Sequence, residues 1–393
     1  MRILHVTRET AGDRRFGIGR SLLPVCEALQ ERGHVVQYLT QEDLAPASHA
    51  ALQPLARWLG RLGGLYFGDV AQDVALAWAE RLNIGRVAAL VARRQRFDIV
   101  HLHDPWMAWG YRQASRVFRQ AGTLRWGFTE HGFGAYANAT WEEGLPCTPK
   151  LMRWLRRLEA GVAARADFVL CPTVSARTQL ARDLSLTEAP AHWSVVPHPQ
   201  PALSLPARQV ARQALGLPDE TLHVLAIGRI NPVKRLDAIV RACRQLHRPL
   251  RLTLLAGGGD PAPLHALAAG APGLALQVLV ADDVGPYLAA ADVYVSAALN
   301  ESFGMANLEA MLAGLPSVCT AVGGVPEVTG GAVWLVPGAD AQLIEQLAQA
   351  LAALADDPPL RLRLATAAAQ RGNNWPRAAE IGERYEALYR SLA

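Results

Sequence analysis

The strongest constraint on the fold of this chain is a repeated alternation of short apolar runs with amphipathic stretches of helical character. Six β-rich runs lie in the first half: "RILHVT", "HVVQYLT", "FDIVHLH", "WGFTEHG", "ADFVLCPTV" and "HWSVVPH". Six more follow in the second half: "LHVLAIGRI", "LRLTLLAGG", "LALQVLV", "DVYVSAAL", "PSVCTAV" and "AVWLV". Apolar strands separated by helices are typical of parallel sheets covered on both faces. The sequence therefore predicts an α/β fold with two doubly wound, Rossmann-like parallel sheets.

Proline residues separate the two sets of strands. Pro197, Pro199, Pro201 and Pro206 follow the sixth run, and 393 residues are too many for one compact core. We predict an N-terminal domain of residues 1–200, a second domain of residues 201–375 and a C-terminal helix of residues 376–393. We expect the two domains to face each other across a cleft, with ligands beyond the carboxyl ends of the strands.

Composition narrows the class of protein. The longest apolar runs are shorter than the roughly 18 residues that a membrane span needs, and the first residues lack the pattern of a secretory signal. The five cysteines are scattered and never form a CxxC pair, which favours a reducing compartment and argues against a zinc site. We therefore expect a cytoplasmic protein.

Charge and aromatic content differ between the two halves. Residues 1–200 carry 24 Lys and Arg against 18 Asp and Glu, whereas residues 201–393 carry 15 against 17. Eight of the ten tryptophans also lie in the first half. A basic, aromatic-rich half beside a near-neutral half indicates that the two halves meet different partners.

The second half places two glutamates around a predicted helix start in "NESFGMANLEAM". We expect the helix to begin at about Phe303 or Gly304, which leaves Glu301 in the preceding loop, where it could simply cap the helix. Glu309 lies among apolar residues of the helix and needs a polar partner there. Two carboxylates accept hydrogen bonds from hydroxyl groups, and a helix start attracts phosphate. The pattern favours a sugar joined to a diphosphate.

Two cations follow the first strand of the second half. Arg229 and Lys234 in "GRINPVK" lie near a predicted helix start, which suits a diphosphate. An isolated pair of this spacing is more often a pair of solvated loop cations, so these residues depend on the wider pattern.

The first half offers glycines and histidines after its strands. Gly17 and Gly19 in "FGIGR" are placed just before a predicted helix but lack the third glycine of a dinucleotide fingerprint. His131 lies beside Gly132 at a strand end, where it can reach a substrate. The other polar residues after these strands are His101, His103, Asp104 and Glu130. Because no H-x3-H, HExxH or D-x-D pattern is present, we predict no metal site.

In this combination the chain resembles a retaining glycosyltransferase of the large family 4 (group 1), which has the GT-B fold and an E-x7-E motif. That motif is Glu301–Glu309 here, and the resemblance extends over nearly the whole chain. The other matching segments occur in the family's order: "GIGR", "LQERGHVVQYLT", "TEHG", "ADFVLCPTVSARTQL", "GRINPVK", "AGGG", "AADVYVSAALNESFG" and "GGVPEV".

The resemblance implies a role for each candidate residue. Arg229 and Lys234 bind the donor diphosphate, Glu309 the ribose hydroxyls and Glu301 the hydroxyls of the donor sugar. Backbone groups near the helix start contact the sugar or phosphate, and these belong to Phe303, Gly304, Met305 and Ala306. Gly17 and Gly19 let a loop approach the donor, and His131 contacts the transferred sugar.

The resemblance also implies chemistry. Such enzymes transfer a hexosyl group from a UDP- or GDP-sugar with retention of configuration, without a bound metal or other cofactor. The acceptor is a glycan, a lipid-linked saccharide or a small molecule, typically in the synthesis of cell-envelope polysaccharide or glycolipid. Nothing in the resemblance implies nucleic-acid binding.

The sequence departs from the family pattern in two segments that bear on which donor is bound. Phe16 replaces a glycine of the usual Gly-Gly-x-Gly, and "PHPQP" stands where P-N-G-V-D is common. Neither removes a chemically required group, but both weaken any inference about the donor's base and sugar.

Other functions remain open at this point. A nucleotide-sugar epimerase keeps the fold, whereas a phosphorylase needs a pyridoxal-phosphate lysine and the chain has only Lys150 and Lys234. The only support for an NAD-dependent oxidoreductase is the "GIG" segment together with Glu42 and Asp43 after the second strand. A two-lobed solute-binding protein would need a secretory signal.

Two basic, aromatic segments bear on the acceptor. Residues 55–68 ("LARWLGRLGGLYFG") and 151–165 ("LMRWLRRLEAGVAAR") suit peripheral contact with the inner leaflet of an anionic membrane. Packing of ordinary amphipathic helices on the sheet is the alternative, and it is favoured for the second segment.

Overall fold

The computed structural model describes residues 1–9, 17–44, 46–68, 71–117, 124–142, 144–145, 147–218, 220–338 and 341–392. Its contacts divide the chain into two compact units. Unit 1 comprises Met1–Pro199 with Arg377–Ala393, and unit 2 comprises Gln200–Pro376. The division falls within the proline-punctuated segment.

Unit 1 contains a six-stranded sheet in the order β2-β1-β3-β4-β5-β6, in which neighbouring strands are parallel. The strands are β1 (Arg2–Val6), β2 (Val35–Leu39), β3 (Ile99–Leu102), β4 (Arg125–Thr129), β5 (Phe168–Cys171) and β6 (Trp193–Val195). The register places His5 of β1 opposite His101 of β3. Five of the six strands lie within the runs expected from the sequence, and β4 begins at Arg125, one residue before its run.

Helices cover both faces of this sheet, and strands β3 and β5 are buried along their whole length. They are α1 (Gly17–Glu31), α2 (Pro46–Phe67), α3 (Ala71–Gln95), α4 (Pro105–Val117), α5 (Tyr136–Glu142), α6 (Pro149–Ala163) and α7 (Val174–Asp183), with a short 3₁₀ helix at Gln41–Asp43. Between them they bury Leu4 and Val100 on one face and Ile3 and Ile99 on the other.

Unit 2 contains a second six-stranded sheet in the order β12-β11-β10-β7-β8-β9, again with parallel neighbours. Its strands are β7 (Leu222–Arg229), β8 (Leu250–Gly257), β9 (Leu274–Leu279), β10 (Val293–Ser296), β11 (Ser317–Thr320) and β12 (Trp334–Val336). Its helices are α8 (Arg208–Ala214), α9 (Leu236–Arg244), α10 (Ala262–Ala268), α11 (Gly285–Ala290), α12 (Met305–Leu312), α13 (Val325–Thr329), α14 (Leu343–Asp356) and α15 (Pro358–Asn373), with a 3₁₀ helix at Pro232–Lys234. The two parallel, helix-covered sheets confirm the predicted α/β fold class.

The last helix, α16 (Ala378–Ser391), packs on unit 1 rather than unit 2. It lies so close to α1 that a Cβ at Gly382 would come within 3.1 Å of the Ala28 Cβ. The Arg32 Nε donates to Glu386 Oε2 at 2.5 Å, and Arg390 donates to the same carboxylate. These hydrogen bonds lower the pKa of Glu386 to about 2. Apolar packing and charge together hold the C-terminal helix on unit 1.

The two ends of unit 2 are bonded to each other. The Gln200 backbone N–H donates to the Pro376 carbonyl oxygen at 2.9 Å. The Gln200 side-chain amide also donates to the carbonyl oxygens of Gly372, Asn373 and Trp375. A single glutamine therefore fixes where the chain enters and leaves this unit.

In the described part of the chain, no helix has both the length and the hydropathy needed to cross a lipid bilayer.

Candidate active site

In unit 2, two neighbouring strands, β7 and β10, end in loops that carry opposite charges. Asn231 caps the 3₁₀ helix after β7 by accepting the Lys234 backbone N–H at 3.1 Å. The Lys234 Nζ then lies 2.5 Å from Glu301 Oε2, in the loop after β10. Both side chains are partly exposed, at 25% and 18%. The structure thus brings together two of the residues singled out from the sequence.

Arg235 fixes the loop in which Glu301 lies. Its backbone is left-handed (φ 45°, ψ 46°), an unusual conformation for a residue with a side chain. The guanidinium donates to the carbonyl oxygens of Ala297, Ala298 and Gly338 at 2.7–3.0 Å. Sequence reasoning missed this residue, because a third cation in "VKR" looks like another solvated side chain.

Gly304 shapes the start of α12. Its φ of +86° lies in the left-handed region, where only glycine is free of strain. A Cβ there would lie 2.7 Å from Asn307 Nδ2 and 3.3 Å from Glu301 Cγ. Phe303, just before it, is 2% exposed and packs edge-to-face on Trp375 at 5.5 Å. The helix starts at Met305, slightly later than expected, because the Gly304 turn precedes it.

Glu309 lies in the body of α12, with Ala306 in the preceding turn, as the sequence indicates. It is 3% exposed. Burial, and the charges of Cys319, Glu301 and Glu309, raise the pKa of Tyr294. Glu301 lies beside Gly304, which directly precedes the helix that contains Glu309, so the two glutamates lie in the same region of unit 2. The positive end of the helix dipole is also there.

Arg229 is the last residue of β7 and is exposed. The glycine loop after β8 packs against the same connection, because a Cβ at Gly259 would lie 2.5 Å from the Ile230 carbonyl oxygen. At Gly258, where φ is +80°, a Cβ would be 4.0 Å from Arg229 Cγ. The "AGGG" segment therefore leaves room for the arginine at the carboxyl edge of the sheet.

In unit 1, the glycines of "FGIGR" lie within a helix rather than before it. We expected Gly17 and Gly19 to precede α1, but α1 begins at Gly17. Glu9 explains the difference, since its Oε1 accepts the Gly19 backbone N–H at 2.6 Å and so stabilises the first turn. Phe16 lies outside the described residues.

Glu9 itself was not predicted from the sequence. Tyr38 at the end of β2 donates to its other oxygen at 2.7 Å, and the carboxylate is 7% exposed. An acidic residue shortly after β1, in "TRETAG", was the only available signal.

His131 lies in the loop after β4, as predicted, and is the half-buried end of a row of imidazoles that includes the buried His103 and His5. Its Nε2 is 2.9 Å from His103 Nδ1, and His103 Nε2 is 3.1 Å from His5 Nδ1. His198 also stacks on His131, with ring centroids 5.4 Å apart. Burial lowers the pKa of His131 well below its ordinary value, and so does the charge of His198.

The other polar residues after these strands have structural partners. Asp104 accepts the backbone N–H groups of Trp106 and Met107 at the start of α4 and pairs with Arg81 at 2.9 Å. Glu130 accepts the Gly132 backbone N–H, and burial raises the pKa of its carboxyl well above the usual range.

Among the described residues, His5, His101 and His103 have ring nitrogens within 4.8 Å of one another. The sequence did not place His5 beside the other two, because β1 and β3 are far apart along the chain. His101 uses both nitrogens, towards the Tyr389 hydroxyl and Thr129 Oγ1, each at 2.7 Å. The group is thus already hydrogen-bonded, and the absence of a metal site stays a prediction.

Comparison with known proteins supports the sequence pattern. Residues 17–199 match the family model described as Glycosyltransferase Family 4, and residues 221–357 match the model described as Glycosyl transferases group 1. The D-inositol 3-phosphate glycosyltransferase of Streptomyces avermitilis is 32% identical over 311 residues, covering 72% of this chain and 63% of that protein. The enzyme of the same name from Mycobacterium avium is 33% identical over 298 residues, covering 70% and 65%. The chain therefore aligns with slightly less than two thirds of these relatives.

Solved structures match the whole chain in fold. Sucrose-phosphate synthase from Thermosynechococcus elongatus superposes with a TM-score of 0.75 at 19% identity, covering 100% of this chain and 98% of that one. Anabaena HepE in complex with UDP-glucose superposes with a TM-score of 0.69 at 16% identity, covering both chains fully. The two matched family segments together span most of the sequence, and the chain belongs to the family 4, group 1 glycosyltransferases of GT-B fold.

Proposed function

We propose that this protein is a retaining, metal-independent hexosyltransferase that binds a nucleotide-diphosphate sugar at the carboxyl edge of the unit 2 sheet. The observation that carries the proposal is the Lys234–Glu301 ion pair beside the start of α12. It puts a cation for phosphate and an acceptor for sugar hydroxyls within one hydrogen bond of each other. HepE, of the same fold, is described in complex with UDP-glucose, which supports a UDP-sugar as the first donor to test.

The charges at this edge of the sheet support one orientation of the donor, with its phosphates towards the cations and its hydroxyl groups towards the glutamates. Lys234 and Arg229 lie in the connection after β7, where two cations suit the two phosphates. A phosphate near the Gly304–Met305 turn would gain from the α12 dipole. Glu301 is then left for the sugar hydroxyls and the buried Glu309 for the ribose, since carboxylates bind vicinal hydroxyl groups well.

The proposed reaction breaks the bond between the anomeric carbon and the phosphate oxygen. The acceptor hydroxyl forms its bond to that carbon on the same face, and its proton passes to the departing phosphate oxygen. Negative charge grows on the diphosphate as the bond breaks, so Arg229 and Lys234 stabilise the transition state more than the ground state. For His131 we retain the role implied by the family, a hydrogen-bond partner of the transferred sugar.

The proposed function is tested by incubating the purified protein with a panel of UDP-, GDP- and ADP-hexoses and measuring slow hydrolysis in the absence of acceptor. We expect one nucleotide and one sugar to be preferred, with the released sugar keeping its anomeric configuration and activity persisting in EDTA. Release of the inverted anomer, or activity that disappears with EDTA and returns with Mg²⁺ or Mn²⁺, would contradict this mechanism.

Replacing Glu309 should chiefly weaken donor binding. A hydrogen bond to a charged group contributes about 1.5–3 kcal/mol, so we expect Glu309→Ala to weaken nucleotide affinity roughly ten- to hundredfold. The measurement is titration calorimetry with the preferred nucleotide. Glu309→Gln separates loss of charge from loss of volume, and Glu345→Ala, on the exposed side of α14, is the matched control. Unchanged affinity in a folded Glu309→Ala protein would remove the ribose role.

Replacing Arg229 or Lys234 should chiefly lower turnover. Removing one group that stabilises developing charge typically costs about a hundredfold or more in kcat. We therefore expect Arg229→Ala and Lys234→Ala to reduce kcat by about that factor in steady-state assays, with a smaller change in KM. Arg241→Ala provides the control, because Arg241 is a half-exposed cation on α9 that pairs only at 3.9 Å with Asp237. A wild-type rate would exclude either cation from the mechanism.

For the acceptor, we propose a saccharide presented at an anionic membrane surface, approached by α2. Trp58, Leu62, Leu65 and Tyr66 are exposed at 57%, 42%, 80% and 77%, and their spacing places them along one side of the helix. Gly60 faces α3 instead, where a Cβ would lie 2.8 Å from the Gln72 Cα. Exposed apolar patches beside cations favour peripheral binding to anionic lipid.

The second basic segment lies in α6 and packs mainly against its own unit. It buries Leu151, Leu155 and Val162, and its Trp154 lies beside Phe67 at the end of α2. We therefore infer that α6 packs within unit 1 and does not contact the membrane, which is also the interpretation that the sequence favoured. The proposed membrane contact is then made by α2.

Vesicle co-sedimentation tests the membrane proposal. We expect binding to vesicles of phosphatidylcholine containing phosphatidylglycerol, weak binding to phosphatidylcholine alone, and loss of binding as salt rises and screens the charges. The pair Trp58→Ala with Leu65→Ser should abolish binding. Leu362→Ser, which changes a 70% exposed leucine in unit 2, should not. No affinity for anionic vesicles at low salt would refute the proposal.

A further inference from the structure

Arg235 has an unusual backbone conformation at a position beside the proposed donor site. Among the described residues, four residues other than glycine have a positive φ: Arg96, Ser185, Arg235 and His247. Arg96, Ser185 and His247 lie shortly after the ends of α3, α7 and α9, where a left-handed residue commonly terminates a helix. Arg235 ends a single 3₁₀ turn and directly precedes α9, to which its side chain makes no capping hydrogen bond. A glycine would satisfy this backbone, so the arginine side chain must be explained by its own contacts.

The guanidinium of Arg235 bonds to two other loops of unit 2. Its Nε donates to the Ala297 carbonyl oxygen at 2.7 Å, and its Nη2 donates to the carbonyl oxygens of Ala298 at 3.0 Å and Gly338 at 2.7 Å. Ala297 and Ala298 directly follow β10 and are each 1% exposed, so their carbonyl groups need donors from the protein. Because a guanidinium is planar and rigid, it fixes the positions of these carbonyl groups relative to one another.

These hydrogen bonds act on the loop that carries Glu301. Arg235 ties the first two residues of this loop to the connection after β7. The next residue, Leu299, donates its backbone N–H to the Val233 carbonyl oxygen of the same connection at 2.7 Å. Glu301 follows two residues later. The position of its backbone therefore depends on the contacts of Arg235.

Arg235 is also the chain neighbour of Lys234. The stem of Lys234 runs beside β7, since a Cβ at Gly228 would lie 3.3 Å from Lys234 Cγ. The Lys234 Nζ then reaches Glu301 Oε2 at 2.5 Å. Arg235 is thus covalently joined to the cation of this ion pair and hydrogen-bonded to the loop that carries the carboxylate.

A third cation for the diphosphate is the alternative role for Arg235. Its Nε and Nη2 are directed at carbonyl oxygens of the protein, and transferring them to a ligand would leave buried acceptors unsatisfied. Lys234 Nζ is instead bonded to the partly exposed side chain of Glu301, which a phosphate can replace. The contacts therefore favour positioning over direct phosphate binding by Arg235.

Donor binding would make such positioning necessary. In the proposed site a phosphate takes the Lys234 ammonium and sugar hydroxyls take the Glu301 carboxylate. The ion pair between them is then exchanged for contacts with the donor and no longer joins the two loops. The hydrogen bonds of Arg235 to the loop after β10 do not involve the donor, so they remain.

We propose that Arg235 is a positioning residue that keeps Lys234 and Glu301 at a fixed separation when the donor replaces their ion pair. This deepens the proposed function and rests on it, because the two residues are assigned there to the phosphate and the sugar. A left-handed backbone is unfavourable for a residue with a side chain, and it persists where surrounding contacts hold it. Loss of the guanidinium should therefore lower the rate of transfer more than the affinity for nucleotide.

Hydrogen exchange tests the positioning without any substrate. Mass spectrometry of the full-length protein would follow the backbone amides of residues 297–303. Glycine keeps the left-handed backbone and removes the guanidinium, so we expect about tenfold faster exchange or more in Arg235→Gly. Lys234→Ala removes the ion pair but keeps the Arg235 contacts, so we expect its exchange to stay within about threefold of wild type. Wild-type exchange in Arg235→Gly, or exchange in Lys234→Ala as fast as in Arg235→Gly, would overturn the proposal.

Two further variants control for backbone strain and for charge. His247→Gly relieves a left-handed backbone (φ 47°) at an exposed residue beyond the other end of α9, and it should leave exchange of residues 297–303 unchanged. Arg235→Lys keeps the positive charge but replaces the planar fork by one ammonium group, so we expect faster exchange there too. If Arg235→Gly does not fold, Arg235→Lys decides, and wild-type exchange in that protein would contradict positioning by the guanidinium.

Turnover provides a separate readout on whichever nucleotide sugar the panel identifies. We expect Arg235→Gly and Arg235→Lys to lower kcat about tenfold or more, while nucleotide affinity measured by calorimetry changes by less than about threefold. His247→Gly should keep the wild-type rate. A wild-type kcat in folded Arg235→Gly, or a loss of affinity as large as the loss of kcat, would refute the role in transfer. If no nucleotide sugar is turned over, the proposed function fails, while hydrogen exchange still decides whether Arg235 positions the loop.

Discussion

Parallel strand pairing is the constraint on which the rest of this structure depends. In a parallel sheet every strand ends at the same edge, so residues far apart in sequence are brought together there. In unit 2 this edge carries the loops after β7, β8 and β10. Lys234 and Glu301, separated by 67 positions, meet because their strands are neighbours. The same edge in unit 1 brings His103 beside His131.

The sequence predicts the strands well because most are rich in apolar residues, and the central ones, such as β3 and β5, are buried along their whole length. It also places Glu309 within a helix and Glu301 before it, because the Gly304 turn separates the two environments. These are local features, in which each residue's neighbours along the chain determine its conformation.

Residues whose roles depend on tertiary contacts could not be identified in this way. Glu9 stabilises the start of α1 from a loop eight residues earlier, which moves the helix start to Gly17. Arg235 adopts a left-handed backbone and bonds to carbonyl oxygens of distant loops, which no propensity of arginine foretells. His5 resembles any polar residue in a strand until the β1–β3 register places it beside two other histidines. In each case the deciding partner is distant in sequence.

The contacts of Gln200 have a consequence for how this protein can be altered. Because the first and last residues of unit 2 are hydrogen-bonded to each other, the unit is topologically an insertion with adjoining ends. A segment of this kind can be exchanged for another with the same end spacing at little cost in chain entropy. Residues 200–376 are therefore a natural segment for exchange between related chains, because its two ends lie side by side in the fold.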